Sequence, residues 1–284
     1  MRSAARPFCG VSTGSSEAVR AGPSPDTGSQ AQSAQARSRS WVLVVKISRS
    51  SCVSASSLRS AQACSREVAK TIVKTIKPEN KALLKEIADD IESDPDARSV
   101  DAGVELAKSK ECDVIIGVGG GSAMDVAKVI GVMMTNPGNI RDYSGMSKIG
   151  KPGVPVIAIP TTSGTGSELT IWSVLSEKEK KQKFGVGSVL NCARIALLDP
   201  ELTISLPPAI TAATGMDALT HALESYVSTA TQPISEAMSE QSMALIARSL
   251  RLAVAQPSNR QARSDMLLAS TLAAMAVPVS TSSW

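Results

Sequence analysis

Residues 113–128 read DVIIGVGGGSAMDVAK, and this stretch decides the fold. Residues 113–118 are an apolar run with the length and composition of a buried strand. Three glycines follow, and the apolar spacing after them is helical as far as Met134. A strand, a tight glycine turn and a helix expose backbone N–H groups at a helix N-terminus, where the helix dipole favours an anion. An anion-binding turn is predicted, but a plain strand–helix turn stays open because the spacing is not GxGxxG.

The rest of the chain continues the alternation of strands and helices and then becomes almost wholly helical in pattern. Apolar runs predict strands at 41–47, 154–159, 171–175 and 194–198, and helical spacing predicts helices at 67–93, broken at Pro78, and at 100–109. Residues 209–277 are almost wholly helical in pattern. We therefore predict an α/β dinucleotide-binding domain with a Rossmann-like parallel sheet over residues 67–206, followed by an incomplete all-α domain over residues 207–284.

The N-terminal residues 1–66 differ from the rest in composition. They are rich in Ser, Ala, Gly and Arg, and are predicted to be a low-complexity, largely disordered segment. Residues 1–70 hold ten Lys and Arg against three Asp and Glu, so the net charge of +4 comes from this end of the chain. Such a composition is typical of an organellar transit peptide. A disordered tail and an incorrectly assigned start of translation are the alternatives.

Composition also excludes several classes of protein. Aromatic residues make up 2% of the chain, which argues against nucleic-acid binding by base stacking. The five cysteines form no CxxC pair and are odd in number, which favours a reducing compartment, and we take the chain as cytoplasmic. The longest apolar runs fall short of the roughly 18 residues of a membrane span, so no membrane contact is predicted.

Two further stretches carry polar groups suited to a ligand. Residues 161–168, TTSGTGSE, follow a predicted strand, and their hydroxyls and glycines suit ribose or phosphate contacts, although a flexible loop would look the same. His221, the only histidine, comes four residues after Asp217, so both side chains share a helix face about 5–6 Å apart. A catalytic metal usually takes about three protein ligands. The pair is therefore half a metal site or an ordinary surface pair.

Taken together, these motifs resemble the iron-containing alcohol dehydrogenases. GGGSAMD at 119–125, PTTSGTGSE at 160–168, DPEL at 199–202 and GMDALTHALESY at 215–226 occur in the family's order. The resemblance runs from about residue 94 to residue 276. It implies a dinucleotide-binding domain, a helical metal domain, and hydride transfer between a small alcohol or aldehyde and NAD or NADP. It is also compatible with a homodimer.

The resemblance assigns roles to individual residues. The cofactor diphosphate would lie on a glycine turn and a neighbouring acid: Gly119, Gly120, Gly121, Ser122 and Asp125. The nicotinamide side would meet Thr161, Thr162 and Thr165, and the ribose would lie near Lys183. Asp217 and His221 match two of four metal ligands, which normally hold Fe²⁺ and sometimes Zn²⁺. No catalytic residue is implied beyond these ligands, and His221 would bind metal as a neutral imidazole.

The chain departs from the family at both ends. The two further histidines of the metal site are missing beyond residue 276, where the sequence becomes VPVSTSSW. The family's ribose-binding acid after the first strand has no counterpart after residues 42–47, which leaves NAD and NADP both open. We therefore expect weak metal binding and activity impaired by truncation. A non-catalytic nucleotide-binding remnant, or the product of a disrupted gene, is the alternative.

Overall fold

The computed structural model describes residues 40–45, 84–91 and 95–280, with side chains from residue 95 to residue 277. All of these belong to one compact unit that spans residues 38–284. Predictions for the remainder of residues 1–66, and for the helix between residues 67 and 83, lie outside the described residues.

A five-stranded sheet forms the first layer. Its strands are β1 (Ser40–Val45), β2 (Leu84–Ile91), β3 (Val114–Gly119), β5 (Val156–Pro160) and β8 (Ile195–Ala196), in the order β2-β1-β3-β5-β8. β3, β5 and β8 run parallel, while β1 is antiparallel to both β2 and β3. The α/β fold class predicted from the sequence is confirmed, with two antiparallel strands added at one edge of its parallel sheet.

The strand β2 corrects one prediction. Residues 67–93 were expected to be helical, because residues 84, 87, 88 and 91 are apolar at helical spacing. In the structure residues 84–91 instead pair along β1, from Leu84 beside Val45 to Ile91 beside Ser40. An unpaired edge of β1 would leave a row of backbone donors and acceptors without partners. Tertiary pairing of this kind overrides local propensity, which is a weak determinant.

Two helices pack beside the sheet, and the second of them makes most of the contact with its strands. Helix α1 (Ala97–Ser109) begins at Asp96, whose carboxylate accepts a hydrogen bond from the Arg98 N–H at 2.9 Å. Helix α2 (Gly121–Met133) is buried along most of its length because it packs between the sheet and α1. Its apolar side chains and those of β3 and α1 form one core, which includes Val100, Ile115, Val129 and Ile130.

A second, smaller sheet has three strands. It contains β4 (Gly145–Met146), β6 (Trp172–Glu177) and β7 (Gln182–Gly187), in the order β4-β7-β6. The charged residues 178–181 form the turn between β6 and β7, as a solvated turn would. The strand β7 was not predicted, since its polar first half and two glycines lack the apolar pattern of a strand.

Three long helices complete the described chain: α3 (Pro208–Val227), α4 (Pro233–Ala255) and α5 (Arg260–Ser280). They pack on one another through Ala218, Leu245, Ile246, Met266 and Ala269, which confirms the predicted helical half. Both halves belong to one compact unit, so the domain boundary drawn at residue 206 stays a prediction. Among the described residues, no helix is both long enough and apolar enough to cross a bilayer.

Candidate cofactor and metal site

The glycine turn joins the end of β3 to the start of α2. Gly119 has a backbone φ of +153°, a region in which glycine is favoured. Gly120 is the N-cap of α2 and supplies no side-chain cap. Its carbonyl accepts from the N–H groups of Ala123 and Met124. The first N–H groups of an uncapped helix are available to a bound anion, so the turn has the construction that was predicted for a diphosphate.

The glycine turn lies directly against the threonine loop, which we define as residues 161–167. The Thr161 N–H donates to the Gly119 carbonyl at 2.8 Å. A Cβ atom added to Gly121 would lie 2.7 Å from Thr165 Oγ1, and one added to Gly120 would lie 3.4 Å from Thr162 Oγ1. Glycine at 121 is therefore required by the close approach. Two motifs predicted separately form one continuous surface.

The threonine loop also contacts the helical half of the chain. A Cβ added to Gly164 would lie 2.7 Å from the Thr214 carbonyl oxygen of α3. Gly166, with a φ of +58°, packs against Ala274 of α5. Thr214 is seven residues before His221, so the two lie about two turns apart on the same side of α3. The loop thus lies between the glycine turn and the helix that carries the acid–imidazole pair.

Asp217 and His221 are close enough to share a cation. Asp217 Oδ1 lies 3.9 Å from His221 Nε2, and the two side chains are 44% and 31% exposed. Two ligand atoms at about 2.1 Å from one metal can be at most about 4.2 Å apart, so the pair fits. In the described part of the chain, however, no group of three or more His, Cys, Asp or Glu could hold a metal. The residues present supply half of a usual site.

The other nitrogen of His221 is also unusual for a metal ligand. A ligating histidine normally donates its second N–H to a carbonyl or a carboxylate, which fixes the ring. His221 Nδ1 is buried and has no hydrogen-bond partner among the described residues. Neither ring nitrogen of His221 therefore has a hydrogen bond within the described residues, and Asp217 Oδ1 lies 3.9 Å from Nε2.

Asp125 lies beside the glycine turn, but its carboxylate is hydrogen-bonded to other parts of the protein. One oxygen accepts from Ser167 Oγ at 2.5 Å, and the other accepts from the Val174 N–H at 3.0 Å. The side chain is 14% exposed. Direct contact between Asp125 and a cofactor stays a prediction, whereas its hydrogen bonds to Ser167 and Val174 are part of the structure.

Lys128 was missed by the sequence reasoning. It is 1% exposed, and its ammonium donates to the carbonyls of Ser167, Thr170 and Trp172 at 2.9, 3.3 and 2.5 Å. Asp125 Oδ1 lies 3.4 Å away. Burial lowers the pKa of Lys128, and the charge of Asp125 opposes that shift. A lysine within the apolar run VAKVIGV, three residues after an acid, was the available signal.

Glu168 follows the threonine loop in the chain and contacts α5. It is 1% exposed, and Thr271 Oγ1 of α5 lies 3.4 Å from its Oε1 atom. Burial raises the pKa of this carboxyl above its usual value. The residue connects the end of the threonine loop with the helical half.

Lys183 is more distant from this cluster along the small sheet. It is exposed on β7 and pairs with Ser176 of β6, while Trp172 pairs with Gly187 at the other end of the hairpin. Four residues of strand separate Ser176 from Trp172, or about 13 Å. The structure therefore places Lys183 near the hairpin turn, and its contact with a ribose stays a prediction.

Comparison with known proteins agrees with these features. The family model described as iron-containing alcohol dehydrogenase matches residues 55–200, and the model of the same family's C-terminal region matches residues 211–282. The chain is 45% identical to 1,3-propanediol dehydrogenase of Klebsiella pneumoniae over 190 residues, which are 67% of this chain and 49% of that protein. It is 41% identical to alcohol dehydrogenase 4 of Schizosaccharomyces pombe over 202 residues, or 69% and 48% of the two chains.

Solved structures show the same relationship. An alcohol dehydrogenase from Oenococcus oeni superposes with a TM-score of 0.66 at 41% identity, over 67% of this chain and 50% of that one. A sulfoacetaldehyde reductase from Bifidobacterium kashiwanohense, solved in complex with NAD⁺, gives a TM-score of 0.62 at 40% identity, over 66% and 50%. The chain spans about half the length of the curated relatives it matches.

Proposed function

Because the chain belongs to the iron-containing alcohol dehydrogenase family, we propose that it acts in hydride transfer between a small alcohol and a nicotinamide cofactor, NAD or NADP. The relatives named as propanediol and alcohol dehydrogenases support this reaction class, and the neighbour solved with NAD⁺ supports the cofactor. The observation that carries the proposal is the contact of the glycine turn with the threonine loop, which in turn packs on α3, the helix of Asp217 and His221.

The glycine turn, the threonine loop and the Asp217–His221 pair each have a separate role in the proposed reaction. The backbone N–H groups at the start of α2 bind the cofactor diphosphate, and Gly120 and Gly121 leave room for it. The threonine loop positions the nicotinamide end, since it lies between the glycine turn and α3. Asp217 and His221 would hold Fe²⁺ or Zn²⁺ as ligands. When bound, such a metal supplies Lewis-acid polarisation of the substrate oxygen.

Cofactor binding can be tested with a matched pair of variants. A Cβ at Gly120 meets no atom closer than 3.4 Å, so Gly120→Asp is expected to fold and to place a carboxylate at the anion site. Calorimetric titration with NAD and with NADP should show a Kd at least tenfold weaker than that of the wild type. Gly150→Asp, in an exposed loop where an added Cβ meets only Asn136 Oδ1 at 4.0 Å, is the control and should bind normally. Failure of the wild-type protein to bind either dinucleotide would contradict the proposal.

A non-catalytic nucleotide-binding protein is the second candidate. The two-ligand metal site and the unpartnered Nδ1 of His221 within the described residues favour it. The two candidates differ in turnover and not in cofactor binding. Formation of NADH from primary alcohols after addition of Fe²⁺ or Zn²⁺ supports the dehydrogenase, and tight NAD binding without any NADH supports the binding protein.

A further inference from the structure

The buried ammonium of Lys128 has an unusual set of partners. All of its protein acceptors other than Asp125 belong to residues 167–172, the segment that ends the threonine loop and enters β6. Lys128 itself lies on α2, the helix whose N-terminus forms the glycine turn. One helix therefore carries both the candidate diphosphate site and the attachment of the neighbouring loop.

Asp125 attaches the same segment one turn earlier on α2. Its two oxygens bind Ser167 Oγ and the Val174 N–H, and its charge lies 3.4 Å from the Lys128 ammonium. A charge buried as deeply as that of Lys128 is tolerated only when it is paired and hydrogen-bonded. Movement of residues 167–174 away from α2 would remove most of these partners at once. Asp125 and Lys128 therefore fix the position of the C-terminal end of the threonine loop.

We propose that Lys128 and Asp125 are positioning residues, which act through the threonine loop to place the nicotinamide end of the cofactor and do not contact the cofactor themselves. The inference rests on the proposed function and deepens it. Between the glycine turn and Thr214 of α3 the loop contacts both neighbours, so a shift of the loop moves Thr162 and Thr165 relative to the helical half. The N-terminal amides of α2 do not depend on the pair, because β3 and α2 form the glycine turn without it.

Because the pair acts on the threonine loop and not on the glycine turn, its loss should weaken the binding of NAD more than that of ADP-ribose, although both ligands contain the diphosphate. ADP-ribose contains all of NAD except the nicotinamide ring, so it reports binding of the diphosphate and its sugars without the nicotinamide. Lys128→Met keeps most of the length of the side chain and removes its ammonium. In calorimetric titrations we expect the variant to bind NAD at least tenfold more weakly than the wild type, with ADP-ribose binding changed less than threefold.

A second, milder variant controls for the misfolding that Lys128→Met could cause. Ser167→Ala removes only the hydroxyl that donates to Asp125, and should weaken NAD binding about threefold while leaving ADP-ribose unchanged. Hydrogen exchange of the free protein gives a readout that needs no ligand. Amides of residues 161–167 should exchange faster in both variants, whereas those of residues 121–126 should not.

Asn136 provides the matched control at the other end of α2. It is 4% exposed, and its amide binds the Val132 and Lys151 carbonyls at 2.9 Å each. Asn136→Ala should reduce thermal stability but leave the binding of both ligands unchanged, because it releases a loop away from the site. Equal weakening of NAD and ADP-ribose by Lys128→Met, or no weakening of either, would overturn the inference. Lack of dinucleotide binding by the wild type would instead refute the proposed function.

Discussion

Gly166 shows how one residue can fix the contact between two parts of the chain. Its φ of +58° is in the left-handed region, and an added Cβ would overlap Ala274 Cβ of α5. Glycine satisfies both demands, since it tolerates positive φ and has no side chain. The position holds the threonine loop close to α5.

We therefore expect Gly166→Ala to be strongly destabilising. Overpacking against α5 and the unfavourable backbone conformation together should lower the free energy of unfolding by about 2–4 kcal/mol, measured by urea denaturation. Gly150→Ala is the control, because a Cβ there meets only Asn136 Oδ1 at 4.0 Å. A loss below about 0.5 kcal/mol for Gly166→Ala would show that the loop and α5 are not in close contact.

Glu168 gives a pH-dependent prediction at the same scale. Burial raises the pKa of its carboxyl, so the folded state favours the protonated form. The stability that this group contributes is complete below its unfolded value of about 4.5 and is lost as pH rises through the folded value. Glu168→Gln removes this loss.

The variant Glu168→Gln should therefore melt at a higher temperature than the wild type at pH 8, with the difference shrinking toward pH 4.5. Glu105→Gln, on the exposed side of α1, serves as the control and should melt like the wild type at both pH values. If Glu168→Gln is instead less stable than the wild type at pH 8, the carboxylate is needed in its charged form.

Some of these residues could be found from the sequence and others could not. The glycine turn, the threonine loop and the acid–histidine pair were found because each has a distinctive spacing of glycine, hydroxyl or ligand residues. The structure shows that the two loops touch and that α3 adjoins them, but the predicted cofactor and metal contacts stay predictions. Lys128 and Glu168 could not be identified from the sequence, because their importance comes from burial. That burial depends on segments about forty and one hundred residues away in the chain.

At the scale of elements, hydrogen bonds to one buried acid join α4 to α5. Asp265 of α5 accepts from Arg248 Nη2 and Ser249 Oγ of α4 at 2.8 and 2.6 Å, and from Gln261 Nε2 at 2.8 Å. Burial raises the pKa of Asp265, but these hydrogen bonds together outweigh burial and lower it below its usual value. The carboxylate therefore contributes stability above about pH 3.8, and that contribution is lost as pH falls through the folded value.

Asp265→Asn should remove this contribution. At pH 7 we expect the free energy of unfolding to fall by roughly 2 kcal/mol, because the network loses its negative charge and one of its two acceptor oxygens. The difference from the wild type should shrink below about pH 4. Arg248→Gln is a graded comparison, since Arg248 is 63% exposed and its loss leaves two donors in place. Equal stability of Asp265→Asn and the wild type at pH 7 would contradict this account.

The elements themselves were predicted with uneven success. The buried strands β3 and β5 are continuous apolar runs, and α1 and α2 have helical apolar spacing. These predictions, and that of a helical pattern over residues 209–277, agree with the structure. β2 was wrongly expected to be helical, because its apolar spacing is helical and only the neighbouring β1 makes it a strand. β7 was missed because its stability depends on pairing with β6 and on the Trp172 ring packed over Gly187.

At the scale of the whole molecule, the described chain combines a complete glycine turn with half of a metal site. The family and fold class predicted from the sequence are confirmed by the matches to residues 55–200 and 211–282. The domain boundary and the site residues stay predictions. Weak metal binding is predicted from the two ligands in α3 and can be measured directly.

We expect the protein to bind Zn²⁺ or Fe²⁺ weakly. A complete zinc site contributes roughly 10–16 kcal/mol, so two ligands should supply about half of that, or a Kd of about 1–200 μM. Metal analysis after gel filtration should find little bound metal, and calorimetric titration should give this Kd. His221→Ala should abolish the signal, with Glu224→Ala on the same helix as the control. Stoichiometric metal that survives dialysis against a chelator would contradict the prediction.

The contact between Gly121 and Thr165 has a consequence for how this protein can evolve. Because the two positions occupy one shared space, substitutions there should covary: a methyl group gained at 121 requires a side chain trimmed at 165. Gly121→Ala alone should lower the stability of the folded protein, and Thr165→Gly should restore that stability. Genetic drift at either position is thereby restricted by the other.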